Sequence, residues 1–248
     1  MRPSLEASWI YICGALAAGL TGWPEGLGLL AGWLVVDVAL GRVFRQLIAL
    51  KAPLAADISG GDRWQRLRAA AEALGPLALD TLATCGIALV LATYIGRQPL
   101  LVAALALLGG ALAALLAGGD RAALERAQAG LHVSAAWLMG HAALAPLTGA
   151  SWGLALVVGL ATYARRLPAT RMGGARWLLR WTWAIWLLAS IEGRQPLVTV
   201  IVAVGALAEL MNQGLAEGRA ANLMVLVRQR ASWWAATVLV ALASTRWG

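Results

Sequence analysis

Three carboxylates draw attention by their setting. Asp37 and Asp80 lie deep in apolar runs, and Glu209 lies nearer the end of another. A carboxylate inside a membrane is expensive to bury, so its default reading is functional. Asp37 and Arg45 are eight positions apart, which puts them two turns apart on one helix face. Such a group either ties helices together through an ion pair or hydrogen bond, or forms the polar floor of a cavity. Both readings stand at the level of the sequence.

The arginines offer a second chemistry. Arg42 and Arg45 close one long apolar segment, and Arg165 and Arg166 close another. Guanidinium groups grip phosphate, a lipid headgroup or another anion through forked, charge-assisted hydrogen bonds, with no metal. The competing reading is that membrane topology alone put them there. His132 and His141 are the only histidines. Nine positions on a helix leave them about 180° apart around the axis and about 13 Å apart along it. They cannot share one metal ion or the two faces of one haem. Each alone could ligate a separate chlorophyll or haem, or serve as a polar packing group. Cys13 and Cys85 sit in apolar runs without CxxC spacing. There is no P-loop, strand-borne GxGxxG, HExxH or nucleophile elbow. The sequence therefore offers no catalytic residue and no metal site, and no Mg²⁺ is expected.

The segments that carry these residues are membrane-like. Of 248 residues, 60% are hydrophobic and 13% charged, against about 25% charged in ordinary soluble domains. The apolar runs are long enough to cross a hydrocarbon core as helices. Breaking them at Gly, Pro and charge clusters gives nine candidate spans. These cover 7–22, 26–44, 74–95, 98–118, 130–146, 150–164, 177–192, 196–212 and 231–245. The expected fold is an all-α polytopic bundle in one transmembrane domain. Within the long connection 45–73, Arg63, Arg66 and Arg68 alternate with Trp64, Leu67 and Ala71, as in an amphipathic helix on the membrane surface.

Charge sets the orientation. Alternating the nine spans places 17 of the 20 basic residues on the side of the N-terminus, leaving Arg97, Arg194 and Arg246 opposite. The positive-inside rule then puts the N-terminus in the cytoplasm and the C-terminus outside, in a bacterial inner (plasma) membrane. The net charge of +8 reads as topology plus attraction for anionic membrane lipids, and nucleic acid is not an expected partner. Most of the thirteen tryptophans, Trp9, Trp23, Trp152 and Trp177 among them, mark span ends as an interfacial belt. Trp33, Trp137, Trp183 and Trp186 lie deeper.

The tetrapeptide GRQP occurs at 96–99 and again at 193–196, 97 residues later, each time between two apolar runs on the outer side. Gly suits a helix C-terminal cap and Pro the start of the next helix, so each copy predicts a tight hairpin turn. The spacing divides the chain into repeat one (1–118), repeat two (119–212) and a ninth helix (231–245). Units of four spans keep their orientation, so the repeat is parallel. Many transporters instead carry inverted repeats.

Nine helices as four plus four plus one, with longer cytoplasmic connections at 45–73 and 165–176, resemble the UbiA superfamily of intramembrane prenyltransferases. Arg2-Pro3 before the first helix, then Gly14 and the small residues to Gly19, are similar to that family's opening. The resemblance covers nearly the whole chain and rests on topology and short motifs. It implies a helical cavity for an isoprenoid chain. It also implies two acidic clusters, NDxxDxxxD and DxxxD, that hold magnesium and a diphosphate. Here the second span ends Asp37-Val-Ala-Leu-Gly-Arg-Val-Phe-Arg, with Arg42 and Arg45 where further acids belong. Between Glu125 and Glu192 there is no Asp or Glu at all. One carboxylate, Asp37, remains of the first cluster and none of the second, so the family's magnesium-diphosphate machinery is lost. The expectation is a non-catalytic, UbiA-like protein binding an isoprenoid, quinone, pigment or lipid, as an accessory subunit of a larger membrane complex. The alternatives are an atypical UbiA-type prenyltransferase and an unrelated small transporter or structural subunit.

Overall fold

A segment this apolar can satisfy its backbone in a low-dielectric setting by closing each N–H onto a carbonyl of its own chain. The computed structural model describes residues 3–19, 26–51, 63–117, 120–167 and 172–192, with short helical pieces at 199–200, 202–204 and 206–207. Among them every regular element is a helix: α1 (Pro3–Ala17), α2 (Gly26–Trp33), α3 (Gly41–Lys51), α4 (Arg63–Ile95), α5 (Arg97–Leu116), α6 (Arg121–Ala142), α7 (Gly149–Arg165) and α8 (Met172–Glu192). Leu34–Leu40 joins α2 to α3 as a π-helix, so 26–51 is one continuous rod. The second GRQP, Glu209 and the ninth span at 231–245 lie outside the described residues.

Among the described residues, three helical stretches are long and apolar enough to cross a membrane: Gly26–Leu50, Leu74–Ile95 and Arg97–Leu116. On the last two, Leu82, Ile87, Val90, Leu105, Leu108 and Leu112 are exposed. A continuous apolar surface of that kind is at home against hydrocarbon, where water would drive it to associate.

Four helices begin earlier than the apolar runs do, α1 and α8 by about one turn and α4 and α6 by more than two. The expected surface helix around 63–73 is the first part of α4, which runs unbroken for 33 residues and carries Pro76 inside it. Arg, Ala, Glu and Leu at 65–74 are strong helix formers, with no breaker among them. The fifth span, expected from 130, starts at Arg121 as α6. The Asp120 side chain caps it by accepting from the Ala123 N–H at 2.9 Å.

Helix α6 is the centre of the bundle and packs on α1, α7 and α5. Small residues make this possible. A methyl group at Gly140 would overlap the Tyr11 carbonyl, and one at Gly14 would overlap that of Trp137. The α1 and α6 backbones therefore touch, as small-residue interfaces in membranes allow. Ser134 Oγ adds a hydrogen bond to the Ala155 carbonyl of α7 at 2.8 Å.

The first GRQP forms the turn that its composition predicts, with an addition. Gly96 adopts φ 153°, which disfavours any side chain. Pro99 stands in the first turn of α5, where its missing N–H is no loss. Gln98 Oε1 accepts from the Leu147 N–H at 2.7 Å, tying this turn to the α6–α7 connection.

Candidate anion-binding site

The site begins with an irregularity in the 26–51 rod. Val35, Val36 and Val38 are β-branched and Asp37 is a poor helix former. There the chain widens into the π-helix, a form that recurs at functional positions. The Gly41 N–H reaches back five residues to the Val36 carbonyl. His132 of α6 reaches the same carbonyl, with Nε2 2.8 Å from the oxygen. A carbonyl only accepts, so Nε2 carries the proton in this contact. Phe44 meets the ring edge-on at 5.6 Å between centroids. A side chain at Gly41 would press on His132 Cε1 at 3.3 Å.

Above this contact lies a cavity of about 340 Å³. One wall is Gly41, Phe44, Arg45 and Ile48 of α3. The facing wall is Arg121, Glu125, Gln128, Ala129 and His132 of α6, and Arg166 at the end of α7 completes the lining. Positions 121, 125, 128 and 132 follow one helix face at intervals of four, three and four. Arg45, Arg121 and Arg166 are exposed, whereas Gln128 is 2% and His132 6% exposed. The guanidinium groups therefore ring the mouth and the amide and imidazole lie at the floor.

Two of the three cations are compensated. Arg121 pairs with Glu125 at 2.9 Å, one turn on. Arg166 pairs with Glu6 of α1, also at 2.9 Å. Arg45 has no carboxylate partner among the described residues, so the mouth keeps one net positive charge. At the floor, neither the nitrogen nor the oxygen of the Gln128 carboxamide has a hydrogen-bond partner. A buried amide in that state is costly unless something in the cavity answers it.

The residues singled out in the sequence are distributed unevenly. Arg45, Arg166 and His132 come together in the cavity. Arg42 lies elsewhere, its Nη2 bonded to both oxygens of Asp80 at 3.0 and 2.8 Å. Gln46 donates to the same carboxylate. Asp80 is thus the clasp between α3 and α4, the helix-tying role considered for it. Arg165 and Asp37 do not line the cavity. Asp37 stands in the π-helix with Oδ1 buried and without a partner. His141 is half-buried at the other end of α6. Among the described residues no three His, Cys, Asp or Glu side chains converge.

Arg121, Glu125 and Gln128 carry the site but escape a reading by apolar runs. The charges at 121–126 look like a connection between spans, and Arg121 counts there only toward topology. The signal was present nonetheless: polar residues at helical spacing in register with His132. No family model, curated protein or solved structure matches this chain.

Proposed function

We propose that this chain is a UbiA-like integral membrane protein that holds the anionic head of an isoprenoid, quinone, pigment or lipid in the α3–α6–α7 cavity, without catalysing a reaction. The observation that carries this reading is the uncompensated Arg45 at the mouth of a concave, partly apolar site beside Arg121 and Arg166. Forked guanidinium groups suit a phosphate or carboxylate, and Phe44, Ile48 and Ala129 supply apolar contact where head meets tail. Nine spans, a cytoplasmic N-terminus and service as a subunit of a larger membrane assembly belong to the same proposal, on the charge distribution and the doubled GRQP. The absence of Asp and Glu between Glu125 and Glu192 supports a binding role over the family's magnesium-dependent transfer.

The test is an organic extract of the purified full-length protein, analysed by mass spectrometry. The wild-type chain should retain a defined anionic amphiphile in near-stoichiometric amount. Arg45→Ala with Arg166→Ala should reduce it by about tenfold or more, as expected for losing two charge-assisted contacts. Equal retention by both proteins would overturn the assignment. Magnesium-dependent isoprenyl transfer by the wild type, lost in Asp37→Ala, would establish the enzymatic alternative instead.

A further inference from the structure

We propose that Gln128 selects the head, and that the head is a monoanionic phosphodiester whose terminal substituent carries free hydroxyls, the chemistry of a phosphatidylglycerol headgroup. This rests on the anion-binding reading above and deepens it.

Three observations converge. The first is charge. Among the lining residues and their ion-pair partners, Arg45, Arg121 and Arg166 stand against Glu125 and Glu6, which leaves one net positive charge. A phosphodiester neutralises it. A diphosphate would bring a surplus of negative charge, and a zwitterionic head would leave the cation uncompensated. The second is order along the cavity. The cations ring the exposed mouth, while the floor is Gln128 and His132, at 2% and 6% exposure. A head that fits must carry its charge short of its tip and end in a neutral polar group. An isoprenyl phosphate is built the other way round, with its charge at the tip. The third is the unmet amide. Gln128 lines the floor and carries both an N–H₂ donor and a carbonyl acceptor, both buried and neither with a partner. A terminal glycerol answers both, since one hydroxyl donates to Oε1 and its neighbour accepts from Nε2. The volume agrees: about 340 Å³ is roughly eleven times water's share of the liquid, room for a head but not for acyl chains.

The same chemistry could reach the cavity from the bilayer or as a free glycerophosphodiester, so the experiment uses both. The full-length protein in mild detergent is titrated with phosphatidylglycerol, with phosphatidylmethanol, and with water-soluble glycerophosphoglycerol. Phosphatidylmethanol keeps the monoanionic phosphodiester and lacks the hydroxyls. Wild-type protein should prefer phosphatidylglycerol by about tenfold, the worth of one to two neutral hydrogen bonds. Gln128→Leu should abolish the preference while leaving phosphatidylmethanol within about twofold of its wild-type affinity. Binding of the free glycerophosphodiester as tightly as the lipid supports the hydroxyl selection with a soluble source; binding of the lipid alone supports it with a bilayer source. Equal wild-type affinity for the two lipids, with binding still lost in the Arg45→Ala, Arg166→Ala double variant, would overturn this inference and leave the anion site standing. A Gln128→Leu chain that weakens both lipids alike would also overturn it. Failure of any anionic lipid to bind in an arginine-dependent way would remove the anion site itself. The wild-type comparison needs no variant, so a Gln128→Leu protein that fails to fold leaves the test intact.

Discussion

Arg42 and Arg45 are three positions apart on one helix and have different tasks. Arg42 is held by both oxygens of Asp80, and Gln46 shares that carboxylate; Arg45 faces the cavity with no acid among the described residues to answer it. Their alanine variants should therefore separate. Arg42→Ala should lower thermal stability by about 1 kcal/mol, the scale of a partly exposed ion pair, and leave the amphiphile bound. Arg45→Ala should do the reverse, and one thermal-shift series with lipid extraction checks both. Asp37→Ala should keep the amphiphile as well, because the carboxylate lies outside the cavity lining and its Oδ1 has no partner to lose. His132 couples site and scaffold. Its loss leaves the Val36 carbonyl without its side-chain donor and empties the space beside Phe44. His132→Ala should destabilise by about 2 kcal/mol and weaken binding too. A variant that folds and binds like wild type would show that the π-helix holds its shape unaided.

Among the elements, α6 concentrates the packing, and its contact with α1 has no slack. Gly140 and Gly14 lie where any Cβ would strike the opposing backbone, and a backbone cannot swing aside as a side-chain end can. Gly140→Val should cost about 3 kcal/mol or more, read as loss of monodisperse protein on size exclusion. Gly153 of α7, with open space where a Cβ would stand, is the control, and Gly153→Ala should change little. The same elements show what a one-dimensional reading can reach. Apolar length was enough to locate α5 and α7 to within a few residues, and the start of α2. It failed at 121–129, where Arg121, Glu125 and Arg126 break the run although Asp120 caps a helix that continues through them. It failed at 34–40 because a π-helix differs from an α-helix by the reach of one hydrogen bond, which leaves no mark in hydropathy. The site followed the same division. Arg45 and Arg166 were legible as cations ending apolar segments, whereas Gln128 gained meaning once α3 stood opposite it.

At the scale of the molecule, the unequal spread of charge is the strongest statement the chain makes. Helices α4 and α5, both of membrane length, meet at the Gly96 turn, so in the proposed nine-span topology residues near Arg63 and residues near Arg121 share one side and Arg97 takes the other. On the proposed topology the cavity arginines, Arg45, Arg121 and Arg166, share a side too, and the positive-inside rule predicts that this side faces the cytoplasm. A chain freed of Cys13 and Cys85, both of which lie within the helical bundle, gives the background for single-cysteine labelling. A cysteine at position 60 should react with a membrane-impermeant reagent only once the cytoplasmic face is opened. A cysteine at position 97 should react in intact cells. The two positions flank α4, so labelling of both from one face would mean that α4 does not span. The reversed pattern would place the guanidinium mouth outside. An amphiphile would then have to enter from the outer leaflet, and the proposed UbiA-like topology would lose its orientation. The expected pattern sets the mouth among the anionic lipids of the inner leaflet, where a single uncompensated arginine meets its ligand at the highest local concentration.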